Sequence, residues 1–421
     1  MSARTAATTG DPRTRTDGLG WVVRALFPDD RVGVTLGDQP PAGHRTHSRY
    51  AVVPSVERAR FLLPLGAHRA TAASLLAYNA LRPAKVRAAR AVLGGLARAG
   101  AVDLAPFPRL TVSVPAGADP TELLLAERLA AAAGQSGWLA ACGVRPPDPN
   151  HKPTLQLFGS DGTPRGYAKV GWNPATRALV TAESAVLRQL PPVSGVGDHP
   201  LVPRLLGELA WAGQAVAVVE PLPGDVRGVG ADDPPRLGAL LAVARRGGLP
   251  APPLPLAGSP FLARLAAEAA RAADVDPVGQ RALAAVEALT ARHGTTTVEF
   301  GHWHGDWVPW NLGLHAGRLV AWDWEHSGPD VPVGFDLAHD AFQRALVLTG
   351  APAAEAARAV DAHLERHGDG LGLGPAQRGL VADGYLLEMW LRTWRLADAG
   401  AGWNAALHPA LLDVLRSRYG A

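Results

Sequence analysis

The stretch His302–Asn311, HWHGDWVPWN, sets two histidines, an aspartate and an asparagine among tryptophans. Two readings of its spacing compete. His302-Trp-His304-Gly-Asp306 fits an HxHxD pattern. On a strand, residues i and i+2 point the same way, so both imidazoles could reach one zinc ion, as in zinc hydrolases. Such a centre needs a further ligand and groups that orient the ligands. Trp307 stands where another histidine would be wanted, and His315 and His326 sit at no recognisable ligand spacing.

The second reading is His304-Gly305-Asp306-x-x-Pro309-x-Asn311. An aspartate on a tight loop can orient a substrate hydroxyl and take its proton, and an asparagine five residues on can turn back to hold magnesium beside it. Gly305 permits the sharp turn between His304 and Asp306. His302 then becomes a strand residue and His304 a loop-shaping one. Downstream, in RLVAWDWEHSGPD, Leu319 to Trp322 read as a short strand with Asp323 at its end. A carboxylate there can hold magnesium on nucleotide phosphates, with Glu325 in support. Gly313 and Gly317 suit the turns of that hairpin. In GFDLAHD, Asp336 opens a helix, where an N-cap is its plain structural role.

Composition narrows the setting. The chain has 421 residues, too many for one core, so two or three domains are expected. With 47% hydrophobic and 19% charged residues it reads as globular and soluble. A formal charge of +3 and no dense basic stripe argue against a nucleic-acid partner. Cys142 is the lone cysteine, which excludes an intrachain disulfide and suits a reducing compartment. No apolar run reaches the roughly 18 residues of a membrane span. The first 18 residues lack the apolar core of a signal peptide and read as a flexible arm. A cytoplasmic protein without a membrane partner is the expectation. Lys85, Lys152 and Lys169 are the only lysines in an arginine-rich chain, so each hints at a place where arginine would not serve.

Residues 19–135 read as an α/β unit. Arg49 to Gly66 forms two short strands around a turn, residues 67–99 form a helical stretch broken near Pro83, RLTVSVP is a strand, and a helix starts at Asp119-Pro120. From Trp138 the pattern changes. WLAACGV, TLQLFGSDG and PRGYAKVGW are strands, the last two joined by a hairpin at Gly159-Ser160-Asp161-Gly162. PATRALVTAESAVLRQL is a helix, and QAVAVVEPLPG a strand. From about residue 225 helices dominate, among them DPVGQRALAAVEALTARHG, AHDAFQRALVLTG, AAEAARAVDAHLERHG and AQRGLVADGYLLEMWLRTWRLADAG.

HGDWVPWN, AWDWEHSGP and FDLA, in that order and spacing, resemble the aminoglycoside and choline kinase branch of the protein-kinase-like phosphotransferases. The resemblance covers about residues 138–400. It implies an α+β bilobal fold with a nucleotide-binding lobe at 136–224 and a helical lobe at 225–421. The unit at 19–135 is then an additional, cap-like N-terminal domain. It also implies ATP and Mg2+ as cofactors.

The resemblance assigns roles residue by residue. Asp306 is the catalytic aspartate, and Asn311 and Asp323 hold the metal. Lys169 clamps the phosphates and pairs with a glutamate on the next helix. Glu183 fits, because it lies on the apolar face marked by Leu179, Val186, Leu187 and Leu190, where a lone carboxylate is costly unless paired with a cation. Val219, Glu220 and Leu222 match the segment whose backbone reads the adenine edge. The turn RPPDPNHKP departs from the family's glycine-rich pattern; Asn150, His151 and Lys152 are left to meet the phosphates, and Lys152 reads equally well as a solvated loop residue.

The implied activity is ATP-dependent transfer of a phosphoryl group to a hydroxyl of a sugar, amino-sugar or aminoglycoside-like acceptor. Trp307, Trp310, Asp340 and the Tyr385–Trp394 helix are the candidate acceptor surface, with most tryptophans of that helix in the core. A kinase-like binding protein without turnover, and a zinc hydrolase built on His302 and His304, are the alternatives.

Overall fold

The computed structural model describes residues 10–78, 81–190, 198–230, 232–246 and 252–419. The chain divides into two compact units, Met1–Ser184 with Pro203–Val226 and Ala185–Val202 with Arg227–Ala421.

Alternation of apolar and polar residues draws the first unit into strands. β1 (Gly33–Leu36), β2 (His44–Val53), β3 (Phe61–Pro64), β4 (Arg109–Pro115), β5 (Leu139–Gly143), β6 (Thr154–Phe158), β7 (Pro164–Gly171), β8 (Leu205–Trp211) and β9 (Gln214–Val219) make one antiparallel sheet. Its order is β1-β4-β2-β3-β5-β6-β7-β9-β8. The helices are α1 (Gly18–Leu26), α2 (His68–Leu76), α3 (Ala84–Arg98), α4 (Ala101–Leu104), α5 (Pro120–Leu123), α6 (Leu125–Ala132) and α7 (Pro174–Gln189). Neighbouring residues of a strand face opposite sides. Tyr50 and Val52 join the core under α1 and α6, whereas Ala51 joins the one under α2 and α3.

The boundary expected near residue 135 is bridged. β3 pairs with β5 at Phe61↔Gly143 and Leu62↔Cys142. Leu19, Val112 and Leu125 share one hydrophobic cluster with Leu157, Val170 and Val218. Residues 19–135 therefore extend the sheet that residues 136–224 begin, and a separate N-terminal domain does not stand apart. The physical reason is the edge of β5, whose N–H and C=O groups would otherwise be left unpaired.

Local expectations fare variously. Residues 1–9 of the expected flexible arm lie outside the described residues. The rest is held, because the Arg24 guanidinium donates to the carbonyls of Arg13 and Arg15 at 2.5 and 2.6 Å. Asp119 caps the expected helix by accepting from the Thr121 N–H at 2.9 Å. Leu124 is extended, however, and splits that helix into α5 and α6. The Gly159–Gly162 turn closes with Gly162 at φ +83° and the Gly159 N–H donating to the Thr163 carbonyl.

The second unit is mainly helical. Its strands are β10 (Arg227–Gly228), β11 (Leu254–Pro255), β12 (Thr297–Val298), β13 (Phe300–Trp303), β14 (Leu312–His315), β15 (Arg318–Ala321) and β16 (Gly328–Pro332). Its helices are α8 (Leu237–Ala244), α9 (Pro260–Val275), α10 (Pro277–His293), α11 (Phe335–Gln343), α12 (Ala353–His367), α13 (Pro375–Asp398) and α14 (Leu407–Tyr419). Ser259 and Asp276 cap α9 and α10 with their side chains, each ahead of a proline that suits the first helical turn. α13 is buried along much of its length, charged Arg378, Asp383, Glu388 and Arg392 included, because it packs against α9, α10, α11, α12 and α14. α11 begins at Phe335, earlier than expected, and passes into a π turn over Arg344–Leu348. Among the described residues no helix is long and apolar enough to cross a membrane.

Candidate active site

In the first unit, Ala168 and Val170 face the core of α1 and α6, which turns Lys169 to the opposite side of β7. There Lys169 Nζ donates to both carboxylate oxygens of Glu183 on α7, at 2.6 and 2.7 Å. The two side chains are 11% and 3% exposed, so each neutralises a charge that burial would otherwise make costly. The pair expected from α7's apolar face is present.

The glycine-free turn between β5 and β6 is pinned from below. Asp148 accepts from the Asn150 N–H at 2.8 Å, Trp172 Nε1 donates to the His151 carbonyl at 2.9 Å, and Asn173 Nδ2 donates to the Pro149 carbonyl at 2.8 Å. Lys152 is half-buried just ahead of β6. Val219 closes β9 opposite Tyr167 and Leu205. The Glu220 carboxylate is engaged by Arg204, with Nη2 2.7 Å from Oε1, and its N–H donates to the Arg204 carbonyl. Leu222 follows in a proline-flanked, half-buried segment.

In the second unit, the loop after β13 is built around Asp306. Gly305 has φ +80°, and a Cβ there would lie 2.1 Å from the His326 carbonyl oxygen, so only glycine fits. His304 is fully buried against Trp324, ring centroids 4.4 Å apart. Its Nε2 lies 3.1 Å from the Trp322 carbonyl and its Nδ1 3.1 Å from the Asp306 N–H. The carbonyl requires a donor at Nε2, and the N–H requires an acceptor at Nδ1. His304 is therefore the neutral tautomer that ties the loop to the end of β15. Burial lowers its pKa to about 4.

Asp336 is the second anchor. Its carboxylate accepts the N–H groups of His304 and Gly305, at 2.7 and 2.9 Å. Burial pushes its pKa up to about 7, against the pull of those two donors. The N-cap role expected for it is not what it does, because Gly334 occupies the cap and Asp336 lies inside the first turn of α11. The loop's backbone takes the carboxylate first.

Asp306 itself is held at both oxygens. Oδ2 accepts from Asn311 Nδ2 at 2.7 Å and Oδ1 from His339 Nε2 at 3.1 Å. Burial disfavours the charge, but the hydrogen bond from His339 and the nearby positive charge of Arg392 hold the carboxyl well below the usual carboxylate range. The Asp306 side chain is nevertheless 28% exposed, so it remains reachable. Asn311 turns back across five residues as expected. Its hydrogen bonds run from Nδ2 to Asp306, which leaves Oδ1 as a hard oxygen donor for a cation.

Two contacts were invisible to spacing. His339 is fully buried on α11, and its other nitrogen lies 3.0 Å from the hydroxyl of Tyr385 on α13, making a chain Tyr385–His339–Asp306. Arg392, also on α13, donates to the Gly305 carbonyl at 2.6 Å. Both lie in stretches that read as helical, and only the sequence neighbour Asp336 could have drawn attention to His339.

Asp323 follows β15 with φ +63°, a conformation that few non-glycine residues adopt. Glu325 is half-buried, with Oε1 3.7 Å from His326 Nε2. The zinc reading meets a chemical obstacle, since both ring nitrogens of His304 already serve the loop. His302 leaves a buried Nδ1 without a hydrogen-bond partner. Among the described residues no three His, Cys, Asp or Glu side chains are grouped as metal ligands.

The acceptor candidates divide. Trp310 is 41% exposed, but Trp307 is 3% exposed and packs edge-on to His304 as core. Asp340 is buried in an ion pair with Arg344, 2.8 Å away, and of the two tryptophans of α13 Trp390 is wholly buried whereas Trp394 is half-buried. Trp307 and Asp340 therefore leave the candidate acceptor surface, and Trp310 stays.

No family model and no curated protein matches this chain. Solved structures do resemble it. Aminoglycoside phosphotransferase APH(4)-Ia, solved as a thermostable mutant with ADP and hygromycin B, is 14% identical. The likeness covers 70% of this chain and 99% of that one, with a TM-score of 0.44. Choline kinase LicA from Streptococcus pneumoniae is 14% identical over 63% of this chain and 90% of its own, with a TM-score of 0.41. Amicoumacin kinase hAmiN, solved with AMP-PNP, Ca2+ and Ami, is 16% identical over 64% and 85%, with a TM-score of 0.40. These structures are kinase-like phosphotransferases. At such TM-scores the likeness decides neither the reaction nor the acceptor of this chain.

Proposed function

We propose that this protein is an ATP-dependent small-molecule kinase that transfers the γ-phosphoryl group to a hydroxyl of a sugar, amino-sugar or aminoglycoside-like acceptor. The observation that carries the reading is the Asp306 carboxylate, kept ionised and aimed by Asn311 and His339 on a loop that Asp336 anchors. Such a group accepts the hydrogen bond of an acceptor hydroxyl and fixes its lone pair for attack. As the oxygen–phosphorus bond forms and the bond to ADP breaks, the hydroxyl proton passes to Asp306. A carboxyl this acidic is a weak base, so its main service is orientation, which suits the loose transition state of phosphoryl transfer.

The donor set fits a nucleotide with magnesium. Asn311 Oδ1 and the Asp323 carboxylate would hold the ion, with Glu325 in support; hard oxygen ligands with few carboxylates are what magnesium takes beside phosphates. Bound magnesium would neutralise charge on the phosphate oxygens. Lys169, kept in place and in charge by Glu183, would grip the α- and β-phosphates, while Val219, Glu220 and Leu222 would meet the adenine edge. Lys152 would be the cation of the glycine-free turn. Trp310, exposed and adjacent to Asn311, offers a face on which a sugar ring can stack. A cytoplasmic location follows from dependence on ATP.

The deciding experiment replaces Asp306 by Asn. We expect ATP to bind as in the parent protein while phosphoryl transfer to a responsive acceptor, found by screening sugars, amino-sugars and aminoglycosides, falls by about 10²-fold or more. Transfer at the parental rate would remove Asp306 from the chemistry.

A further inference from the structure

The sheet of the first unit opens where β3 leaves β5. Among the described residues the two strands share the pairs Phe61↔Gly143 and Leu62↔Cys142, and Pro64 brings no N–H with which to continue the ladder. Beside this opening lies a cavity of about 210 Å³, walled by Phe27, Leu62, Leu65, Leu125, Trp138 and Leu155. A concave space of this size with mostly apolar walls is the form that small-molecule sites take.

One part of the wall is polar. The register of β2 with β4 shifts between Thr46 and Ser48, and the extra residue, His47, faces Glu127 of α6 with Nε2 3.2 Å from Oε1. Bulges of this kind re-aim single side chains beside functional sites. The two side chains are 21% and 16% exposed, and both line the cavity together with Ser48 and Arg49. The Glu127 carboxylate thus stands on the cavity wall beside an imidazole, as a group that accepts hydrogen bonds. An apolar cavity with a few convergent polar groups is the usual form of a small-molecule site. None of the residues given a part in phosphoryl transfer lines it.

We propose that this cavity binds a small amphiphile, with a hydrocarbon body of about one aromatic ring and a single hydrogen-bond-donating head group, an alcohol or an amine, received by Glu127. The size follows from volume, since a cavity of about 150 Å³ holds benzene. The head group follows from the Glu127 carboxylate on the wall, which accepts hydrogen bonds and has none to donate. The site is independent of the kinase reading and would bind its ligand even in a chain that transfers nothing.

Titration calorimetry and thermal melting of the full chain test this with benzyl alcohol, benzylamine and phenylacetate as probes. Saturable binding of benzyl alcohol or benzylamine, with a Tm that rises with its concentration, is the expected result, and the tighter of the two identifies the head group. Phenylacetate, compared with the other probes in Arg49→Gln so that this wall cation cannot pair with it, should bind at least about tenfold more weakly, because its carboxylate meets Glu127. Glu127→Gln should weaken the better probe about tenfold. Ala126→Trp, at a half-exposed wall position on α6, should abolish binding with the fold intact by circular dichroism; Ala140→Leu, which fills the cavity from β5, gives the same reading if the first variant does not fold. Absence of saturable binding by both the alcohol and the amine would overturn the proposal. So would parental affinity in a folded cavity-filling variant, or phenylacetate binding to Arg49→Gln as tightly as the alcohol.

Discussion

Asp336 and Gly305 lie 31 residues apart in the chain, yet the Asp336 carboxylate accepts the Gly305 N–H at 2.9 Å, and that of His304 at 2.7 Å. One buried side chain thereby fixes the two peptide groups that precede Asp306. Asp336→Ala would leave both donors buried and unsatisfied, at a cost of roughly 1–3 kcal/mol each. It would also let Asp306 shift, and a displacement of about 1 Å can lower turnover about 10²-fold. Urea unfolding and a single-turnover phosphoryl-transfer assay would measure the two effects.

His304 gives stability a pH dependence. Its folded pKa is lowered to about 4 from an ordinary 6.5. The unfolded chain therefore binds a proton between these values that the folded loop refuses. The associated stability is present above pH 6.5 and is lost as pH falls towards 4, by about 3 kcal/mol in all. Unfolding midpoints in urea at pH 7 and pH 4.5 should show a smaller difference for His304→Gln than for the parent, although that variant is less stable at pH 7.

Lys169 and Glu183 form a buried, two-oxygen pair, so removing one partner strands the other's charge. Lys169→Met and Glu183→Leu should each destabilise by roughly 3–5 kcal/mol, and the double variant by less than either. Calorimetry should find ATP binding weakened in all three. A double variant with parental affinity for ATP would separate the pair from the phosphates.

Asp323 sits at φ +63°, where glycine is at ease. Asp323→Gly, which keeps that backbone conformation open to the chain, should remove magnesium-dependent turnover. An assay across magnesium concentrations would check this. A variant that still responds to magnesium as the parent does would mean that the carboxylate is not needed.

Much of this was legible because it is local or periodic. Asp306 and Asn311 are five residues apart, within reach of one loop. The alternation of β7 sets Lys169 away from the side that buries Ala168 and Val170, and the helical period of α7 brings Glu183 onto a buried face. Glycine at 305 announced a turn that no side chain could make. Residues such as Trp307 and Asp340 misled because tryptophan and aspartate have the same composition whether they wait for a ligand or fill a core. Burial alone distinguishes them.

Short-range stereochemistry and the two periods of the backbone thus marked many strands and most helices from the sequence by itself, although β1, β8 and β16 went unread, and the resemblance of its motifs pointed to the Asp306 loop. Tertiary structure decided what depends on distant partners. It chose the loop over the helix cap for the Asp336 carboxylate. It put His339 and Tyr385 behind Asp306, and it closed β3 onto β5 so that the unit expected over residues 19–135 continues a sheet rather than stands apart. Those outcomes turn on which unsatisfied hydrogen-bonding group lies nearest in space, and sequence separation carries no record of that.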